Sequence, residues 1–270
     1  MTDGLYKFEG TGNDFLLGCG EWATHLAEDS GLVQRLCDRH RGVGADGTVA
    51  LEMTGTDRVL MTYRNSDGGV ATFCANATRC VARAAVELLS APTRLKVVTG
   101  WAEIPAAVDG DQVTLELPAP TGPSSYPKIA WQSARSPMKL LEVGVPHLVI
   151  EVSELSELDL PAIAPGLRHH PELGPDGANV NFFEFAGDTV RVRSWERGVE
   201  GETLCCGSGL VAVALEVMAE SGLSSVALEP ASEDRLTVEA LGNLPLSPTR
   251  FTGAARFIAR IEPSDELLRE

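Results

Sequence analysis

Residues 74–89, CANATRCVARAAVELL, form the stretch from which the fold is best interpreted. Small and polar residues follow Cys74, and an apolar pattern with helical spacing comes next. Residues 206–218, CGSGLVAVALEVM, repeat this order after Cys206. Small residues followed by a helical apolar pattern predict that each cysteine lies at the start of a helix.

The surroundings of the two cysteines also repeat. A strand-like run and a polar, Gly-rich turn precede each one, and a similar strand follows each helix, DQVTLEL from Asp111 and DRLTVEA from Asp234. Asn65 lies nine residues before Cys74, and Arg197 lies nine before Cys206. We therefore predict an internal repeat. Residues 118–128, PAPTGPSSYPK, are predicted to be the linker between its halves, because prolines and small polar residues interrupt regular structure.

Apolar periodicity predicts the other elements. Residues 22–40 have the pattern of one amphipathic helix. Alternating or continuous apolar runs predict strands at GTVALEM, RVLMTYRN, RLKVVTG, QVTLELP, KLLEVG, HLVIEV, VNFFEF, TVRVRSW, DRLTVEAL and ARFIARIE.

Composition excludes several classes of protein. The net charge of −16 argues against nucleic acid or an anionic membrane as a partner. The N-terminus lacks a basic and then apolar signal peptide, and no apolar run has the length of a membrane span. The six cysteines include no CxxC pair, so we predict free thiols, no metal site and a cytoplasmic location.

Two cysteines at helix starts predict a specific chemistry. The first turn of a helix stabilises an anion and lowers the pKa of a thiol placed there. A thiolate and a thiol facing each other across a cleft can move a proton from one face of an α-carbon to the other, while helix amides stabilise the charge on the carboxylate. Such an amino-acid epimerase requires no cofactor, and none of the four lysines has a context that suggests a Schiff base. We therefore predict a cofactor-independent epimerase that uses Cys74 and Cys206.

The chain resembles the diaminopimelate epimerase family over essentially its whole length. Seven motifs carry the resemblance, in order: KFEGTGNDF from Lys7, CDRHRGVGADG from Cys37, NSDGGVATFCANATRCVA from Asn65, GVPHLVI from Gly144, GANVNFF from Gly177, SWERGVEGETLCCGSG from Ser194 and RFTGAARF from Arg250. One such motif alone would be unremarkable, whereas seven in the correct order are specific.

The resemblance implies an α/β (α+β) fold of two pseudo-symmetric domains, each a mixed sheet or barrel around a central helix, with the active site in the cleft between them. Residues 1–117 plus 255–270 would form the domain that carries Cys74, and residues 118–254 the one that carries Cys206. The implied reaction interconverts L,L- and meso-diaminopimelate, a precursor of lysine and peptidoglycan. The only implied partners are this small amino acid and a second copy of the chain in a homodimer.

The resemblance also assigns individual residues. Cys74 and Cys206 match the acid/base pair. The remaining positions match groups that bind substrate: Ala75, Asn76, Gly207 and Ser208 at the reacting carboxylate, Asn13 and Glu196 near the reacting amino group, and Asn65, Asn179 and Arg197 at the distal end. Asp46, Asp67, Arg79 and His147 lie inside matching motifs without an assigned chemistry.

The match departs from the family pattern in three places. Ala75 and Ala77 replace glycines after the first cysteine, the segment after Glu196 is one residue longer than usual, and Val145 stands where an asparagine is expected before Pro-His. The loss of that amide leaves open a racemase of another polar amino acid, such as histidine. A proline racemase-like enzyme, a redox or metal-binding thiol protein and a non-catalytic amino-acid binder are further alternatives.

Overall fold

The computed structural model describes residues 3–122 and 124–269. Pro123, within the predicted linker, and the terminal residues 1, 2 and 270 of the predicted first domain lie outside the described residues. The chain divides into two compact units. The first comprises Met1–Leu115 and Gly253–Glu270, and the second comprises Glu116–Thr252.

The first unit is a mixed sheet with one long central helix, α3. In sheet order its strands run β17–β1–β2–β3–β4–β6–β7–β8, with short β5 beside β4. Helix α3 contacts β1, β2, β3, β4, β6, β7 and β17. The elements are β1 (Gly4–Gly10), β2 (Asn13–Cys19), α1 (Glu21–Glu28), α2 (Ser30–Cys37), β3 (Gly47–Met53), β4 (Arg58–Asn65), β5 (Val70–Ala71), α3 (Ala75–Leu89), β6 (Arg94–Val98), β7 (Glu103–Asp109), β8 (Gln112–Leu117), β17 (Arg256–Ile261) and α6 (Asp265–Leu268).

The second unit repeats this plan around helix α5. Its strands run β9–β10–β11–β12–β14–β15–β16, with short β13 beside β12, and α5 contacts β9, β10, β11, β14 and β15. Two short 3-10 helices, Leu155–Glu157 and Pro171–Leu173, flank α4. The elements are β9 (Lys139–Val143), β10 (Val145–Glu151), α4 (Leu160–Arg168), β11 (Asn179–Ala186), β12 (Thr189–Glu196), β13 (Gly201–Thr203), α5 (Gly207–Ser221), β14 (Ser225–Pro230), β15 (Leu236–Ala240) and β16 (Thr249–Ala254).

Strand pairing confirms the predicted repeat. From β1 to β7 the successive pairs are antiparallel, parallel, antiparallel, parallel and antiparallel, and the pairs from β9 to β15 follow the same order. The second parallel crossover in each unit, β4 to β6 or β12 to β14, passes through its long helix, α3 or α5. The mixed α+β fold predicted from the sequence is confirmed.

The strand register corrects one detail of the repeat. Gly47 and Asn179 begin the equivalent strands β3 and β11. Gly47 pairs with Asn65. In the second unit Val180 pairs with Trp195, so Asn179 lies opposite Glu196. Asn65 therefore corresponds to Glu196. The equal spacing that suggested Arg197 as the counterpart was misleading, because the second unit has one more residue between the end of its strand and its cysteine.

All ten predicted strands are present, but the single helix predicted for residues 22–40 is wrong. Asp29 is extended, with φ −103° and ψ 95°, and its side chain accepts a hydrogen bond from the Leu32 N–H at 2.8 Å. An aspartate that caps a new helix competes with continuation of the previous one, so α1 ends and α2 begins at this point. The predictions also omitted β1, β2, β5, β7, β13, β14, β16, α4 and α6.

Each unit has its own apolar core. Leu5, Leu16, Val33 and Leu36 belong to a buried cluster that joins α1 and α2 to the first sheet. A second cluster packs α4 against β10 and β11. No helix formed by residues 3–122 or 124–269 is both long and apolar enough to cross a membrane.

Candidate functional site

Cys74 is the residue that begins helix α3. It is extended, with φ −147° and ψ 115°, and its Sγ accepts a hydrogen bond from the Ala77 N–H at 3.5 Å. Thr78 strengthens this start, because its hydroxyl donates to the Cys74 carbonyl at 2.8 Å. Ala75 and Asn76 form the first turn. The partly exposed thiol therefore lies where the amides of the helix stabilise negative charge.

Cys206 begins helix α5 in the same way but in a drier environment. Gly207 and Ser208 form the first turn, and the Ser208 Oγ lies 4.0 Å from the Cys206 Sγ. The cysteine is only 4% exposed. Burial raises the pKa of the Cys206 thiol well above its usual value; the Glu196 carboxylate raises it further and the backbone of Gly209 opposes the rise. The Thr203 hydroxyl donates a 2.5 Å hydrogen bond to Glu196 Oε1, which fixes that carboxylate.

The third residue after each cysteine shows how closely α5 is packed. A Cβ added to Gly209 would lie 2.1 Å from Asn181 Oδ1 and 3.2 Å from the Cys206 Sγ. Ala77 occupies the equivalent place in α3 and is fully buried. The alanine that departs from the family pattern is accommodated in the first unit, whereas the glycine in the second is required by close approach.

Asn13 and Asn76, predicted to bind substrate, lie together at the start of α3. The Asn76 Nδ2 donates to the Asn13 Oδ1 at 3.1 Å. Arg79 Nη2 donates to the Asn76 Oδ1 at 3.0 Å, and the Asn13 Nδ2 donates to the Asp46 Oδ2 at 2.5 Å. Arg79 also donates to the Thr11 hydroxyl. Asp46 and Arg79, which had no role assigned from the sequence, thus contact two predicted site residues.

The remaining predicted residues occupy two turns, one in each unit. Asn65 is exposed at the end of β4, and its N–H donates to the Gly69 carbonyl at 2.9 Å. Asn179 begins β11, and its Oδ1 accepts from the Arg197 N–H at 2.7 Å. Arg197 lines a cavity of about 480 Å³ with Arg168, His169, Pro175 and Asp176.

His147 lies in a buried polar cluster of the second unit. Its Nδ1 is 3.3 Å from the Asn181 Nδ2, and the Asn181 Oδ1 accepts from the Ser194 hydroxyl at 2.9 Å. Burial, with a smaller contribution from Arg197, lowers the pKa of His147 to about 3, so the ring is neutral near pH 7. Within the described residues, its Nε2 has no hydrogen-bond partner. Asp67, in contrast, accepts from the Gly69 N–H at 2.8 Å, as expected for a turn residue.

The protein belongs to the class of α+β proteins built from two equivalent units, each with a cysteine at the start of its central helix. A known structure shares this fold. The structure of a phenazine biosynthesis protein of the PhzF family from Bacillus anthracis superposes with a TM-score of 0.70 and 13% identity, covering 98% of this chain and all of that one.

Sequence comparison then gives the family. The diaminopimelate epimerase model matches residues 5–121 and 140–245. A diaminopimelate epimerase from Archaeoglobus fulgidus is 36% identical over 232 residues, which cover 79% of this chain and 81% of the relative. One from Gemmatimonas aurantiaca is 34% identical over 213 residues, which cover 77% of each chain. The chain belongs to the diaminopimelate epimerase family.

Proposed function

We propose that this protein interconverts L,L- and meso-diaminopimelate by moving an α-proton between Cys74 and Cys206. The observation that carries the proposal is that each of two topologically equivalent units begins its 15-residue central helix at a cysteine. The family to which the chain belongs supports the choice of substrate. The mechanism requires one α-carbon to meet both sulfurs, one on each face.

In this mechanism the two cysteines exchange roles with the direction of reaction. One sulfur removes the α-proton as thiolate, and the other donates a proton as thiol to the opposite face. The raised pKa of Cys206 supports its presence as the thiol in the protein before substrate binds. The N–H groups of Ala75, Asn76, Gly207 and Ser208 would stabilise the charge that develops on the carboxylate.

The other predicted groups complete the proposed site. Asn13 and Glu196 would bind the reacting amino group, and Asn65, Asn179 and Arg197 the distal end. An arginine suits a distal carboxylate, because its guanidinium can donate two parallel hydrogen bonds to it. We further propose a homodimer in the cytoplasm. The free state of all six cysteines supports a reducing compartment, and the exposed Phe257 and Ile258 of β17 support a contact between copies.

Exchange in D₂O tests the reaction directly. The reduced protein is incubated with L,L-diaminopimelate, L-lysine and L-histidine, and loss of the α-proton signal is followed by NMR. We expect exchange with L,L-diaminopimelate and formation of the meso isomer. Cys74→Ala and Cys206→Ala should each reduce epimerisation by at least about 10³-fold, because each removes an acid/base group. Cys19→Ala, a buried cysteine at the end of β2, should stay active; turnover in either site variant would remove that cysteine from the mechanism.

A second candidate is a racemase of another polar amino acid. The observation that favours it is Val145, which begins β10 at the place that Asn13 takes in β2, so that the second unit lacks an amide there. Exchange with L-histidine but not with L,L-diaminopimelate would favour this candidate. Val145→Asn should then increase activity on L,L-diaminopimelate.

A further inference from the structure

A chain of side-chain hydrogen bonds crosses the start of α3 from Arg79 to Asp46. Arg79 donates to Asn76, Asn76 donates to Asn13, and Asn13 donates to Asp46, at 3.0, 3.1 and 2.5 Å. Arg79 and Asn76 are at most 1% exposed. The far end is held as well, because Arg39 Nη2 donates to the other oxygen of Asp46 at 2.6 Å.

The two ends of this chain determine how both asparagine amides are oriented. A guanidinium can only donate hydrogen bonds, so the Asn76 oxygen must face Arg79. The Asn76 nitrogen then faces Asn13, which must present its oxygen. The Asn13 nitrogen is left to face Asp46, whose carboxylate can only accept. Reversal of either amide would place two donors or two acceptors against each other.

The second unit shows that the fold does not need this chain. Counted from the two cysteines, Asn76 corresponds to Ser208 and Arg79 to Val211. Asn13 corresponds to Val145, because these residues begin the equivalent strands β2 and β10. The residue before β3, Asp46, corresponds to Ala178, the residue before β11. Helix α5 nevertheless packs on its sheet as α3 does. A network without a structural counterpart in the same architecture points to a role in the site.

We propose that Asp46 and Arg79 are positioning residues that fix the polarity of the Asn13–Asn76 amide pair for an α-amino acid. The inference rests on the proposed function. With this polarity Asn13 offers the second lone pair of its oxygen to the substrate ammonium group, and the nitrogen of Asn76 stays directed away from Arg79. A reversed Asn13 would point N–H groups at the ammonium group. Neither positioning residue would contact the reacting atoms.

The two ends are expected to have different kinetic signatures. Asp46 acts through Asn13, which would bind the substrate ammonium group. The charge of that group is the same in the bound substrate and in the transition state. Its loss should therefore raise KM with little change in kcat. Arg79 acts through Asn76 at the start of α3, where negative charge on the carboxylate grows during proton removal. Its loss should therefore lower kcat more than it changes KM.

The decisive variant is Asp46→Asn, with Asp14→Asn as its matched control. Both carboxylates bind Arg39, and Asp14 also pairs with Lys7 at 2.9 Å, but only Asp46 accepts from the side chain of Asn13. For Asp46→Asn we expect KM for L,L-diaminopimelate to rise roughly tenfold and kcat to stay within about threefold. Asp14→Asn should leave KM within about twofold, although it removes more ion pairs.

A second measurement does not depend on activity. Hydrogen exchange of the Asn13 and Asn76 side-chain amides is followed by NMR in protein labelled with ¹⁵N-asparagine. Asp46→Asn should accelerate exchange at the Asn13 amide at least about fivefold, while Asp14→Asn should not, since a lost hydrogen bond exposes the amide to solvent.

The other end of the chain is tested with Arg79→Lys and Arg79→Met, because Arg79 is fully buried. Arg79→Lys keeps a group that only donates hydrogen bonds, so it should retain more of the wild-type kcat than Arg79→Met.

Equal KM changes in Asp46→Asn and Asp14→Asn, or an Asn13 amide that exchanges alike in both variants, would overturn the inference. If the wild-type protein exchanged no amino acid in D₂O, the proposed function would fail instead. The amide measurements would still decide whether Asp46 fixes the orientation of Asn13.

Discussion

The two units share one architecture but carry their buried polar side chains at different positions of it. In the first unit Asp46, Asn13 and Asn76 form a hydrogen-bonded chain, whereas the second has Ala178, Val145 and Ser208 at these places. In the second unit His147, Asn181 and Ser194 form a polar cluster at positions that the strand register equates with Phe15, Val49 and Tyr63.

The first unit makes its equivalent cluster apolar. The Phe15 and Tyr63 rings meet edge to face, with centroids 5.9 Å apart, and Val49 is fully buried. The backbone plan therefore accepts either an apolar or a hydrogen-bonded cluster at the same register positions. Packing sets the shape of each unit, and the chemistry at each helix start is an independent property of its residues.

The largest expected effect concerns a buried ion pair of α5 that has no counterpart at the equivalent position of α3. Lys139 Nζ lies 3.0 Å from Glu216 Oε2, and both side chains are at most 7% exposed, whereas Ala84 takes the place of Glu216 in α3. Lys139→Met should cost about 3–5 kcal/mol in the free energy of unfolding, because it leaves an uncompensated buried charge. The double variant Lys139→Met/Glu216→Leu should return close to the wild-type value.

Urea unfolding measures these differences. The partly exposed pair Arg83–Glu87 of α3 is the control, and Glu87→Gln should change stability by less than about 0.5 kcal/mol. A double variant as unstable as Lys139→Met would show that the pair is not the cause.

A smaller effect should separate the two helix starts by their tolerance of a methyl group. Gly209→Ala should destabilise the protein by about 1–3 kcal/mol, because the new Cβ would overlap Asn181 Oδ1. Ala77→Gly, the reverse change at the equivalent position, should cost about 1 kcal/mol, because glycine has a lower helix propensity than alanine. Thermal unfolding of both variants checks the order, and equal losses would remove the packing difference between α3 and α5.

The smallest expected effect is a shift in the reactivity of Cys206. Burial and the Glu196 carboxylate both raise the pKa of this thiol. Glu196→Gln removes a negative charge that opposes the thiolate, so the pKa should fall and alkylation of Cys206 by iodoacetamide should begin at lower pH. Peptide mass spectrometry with fragmentation separates Cys206 from Cys205. Glu202→Gln, whose carboxylate is bound by Arg193, is the control; an upward shift in Glu196→Gln would contradict the electrostatic explanation.

Much of this organisation could be predicted from the sequence. Cysteine followed by small residues and a helical apolar pattern located both helix starts, because capping and periodicity are local properties. The repeat was visible for the same reason. The break at Asp29 was missed, since α1 and α2 together preserve the periodicity of a single helix and only the cap separates them.

The contacts that give individual residues their surroundings could not be predicted. Asp46 meets Asn13 across 33 positions of sequence, and Asn13 meets Asn76 across 63. The correspondence of Asn65 with Glu196 depends on strand register, which the spacing to the cysteine did not reveal.

The sequence by itself determined that two equivalent helices each begin at a cysteine, because helix starts depend on neighbours within a few residues. Only the tertiary structure decided how these starts differ. Cys206 is buried beside Glu196, whereas Cys74 is partly exposed beside an oriented pair of asparagines. Burial and charge depend on residues brought together from distant parts of the chain. The same local motif therefore acquires two environments when each unit folds around it.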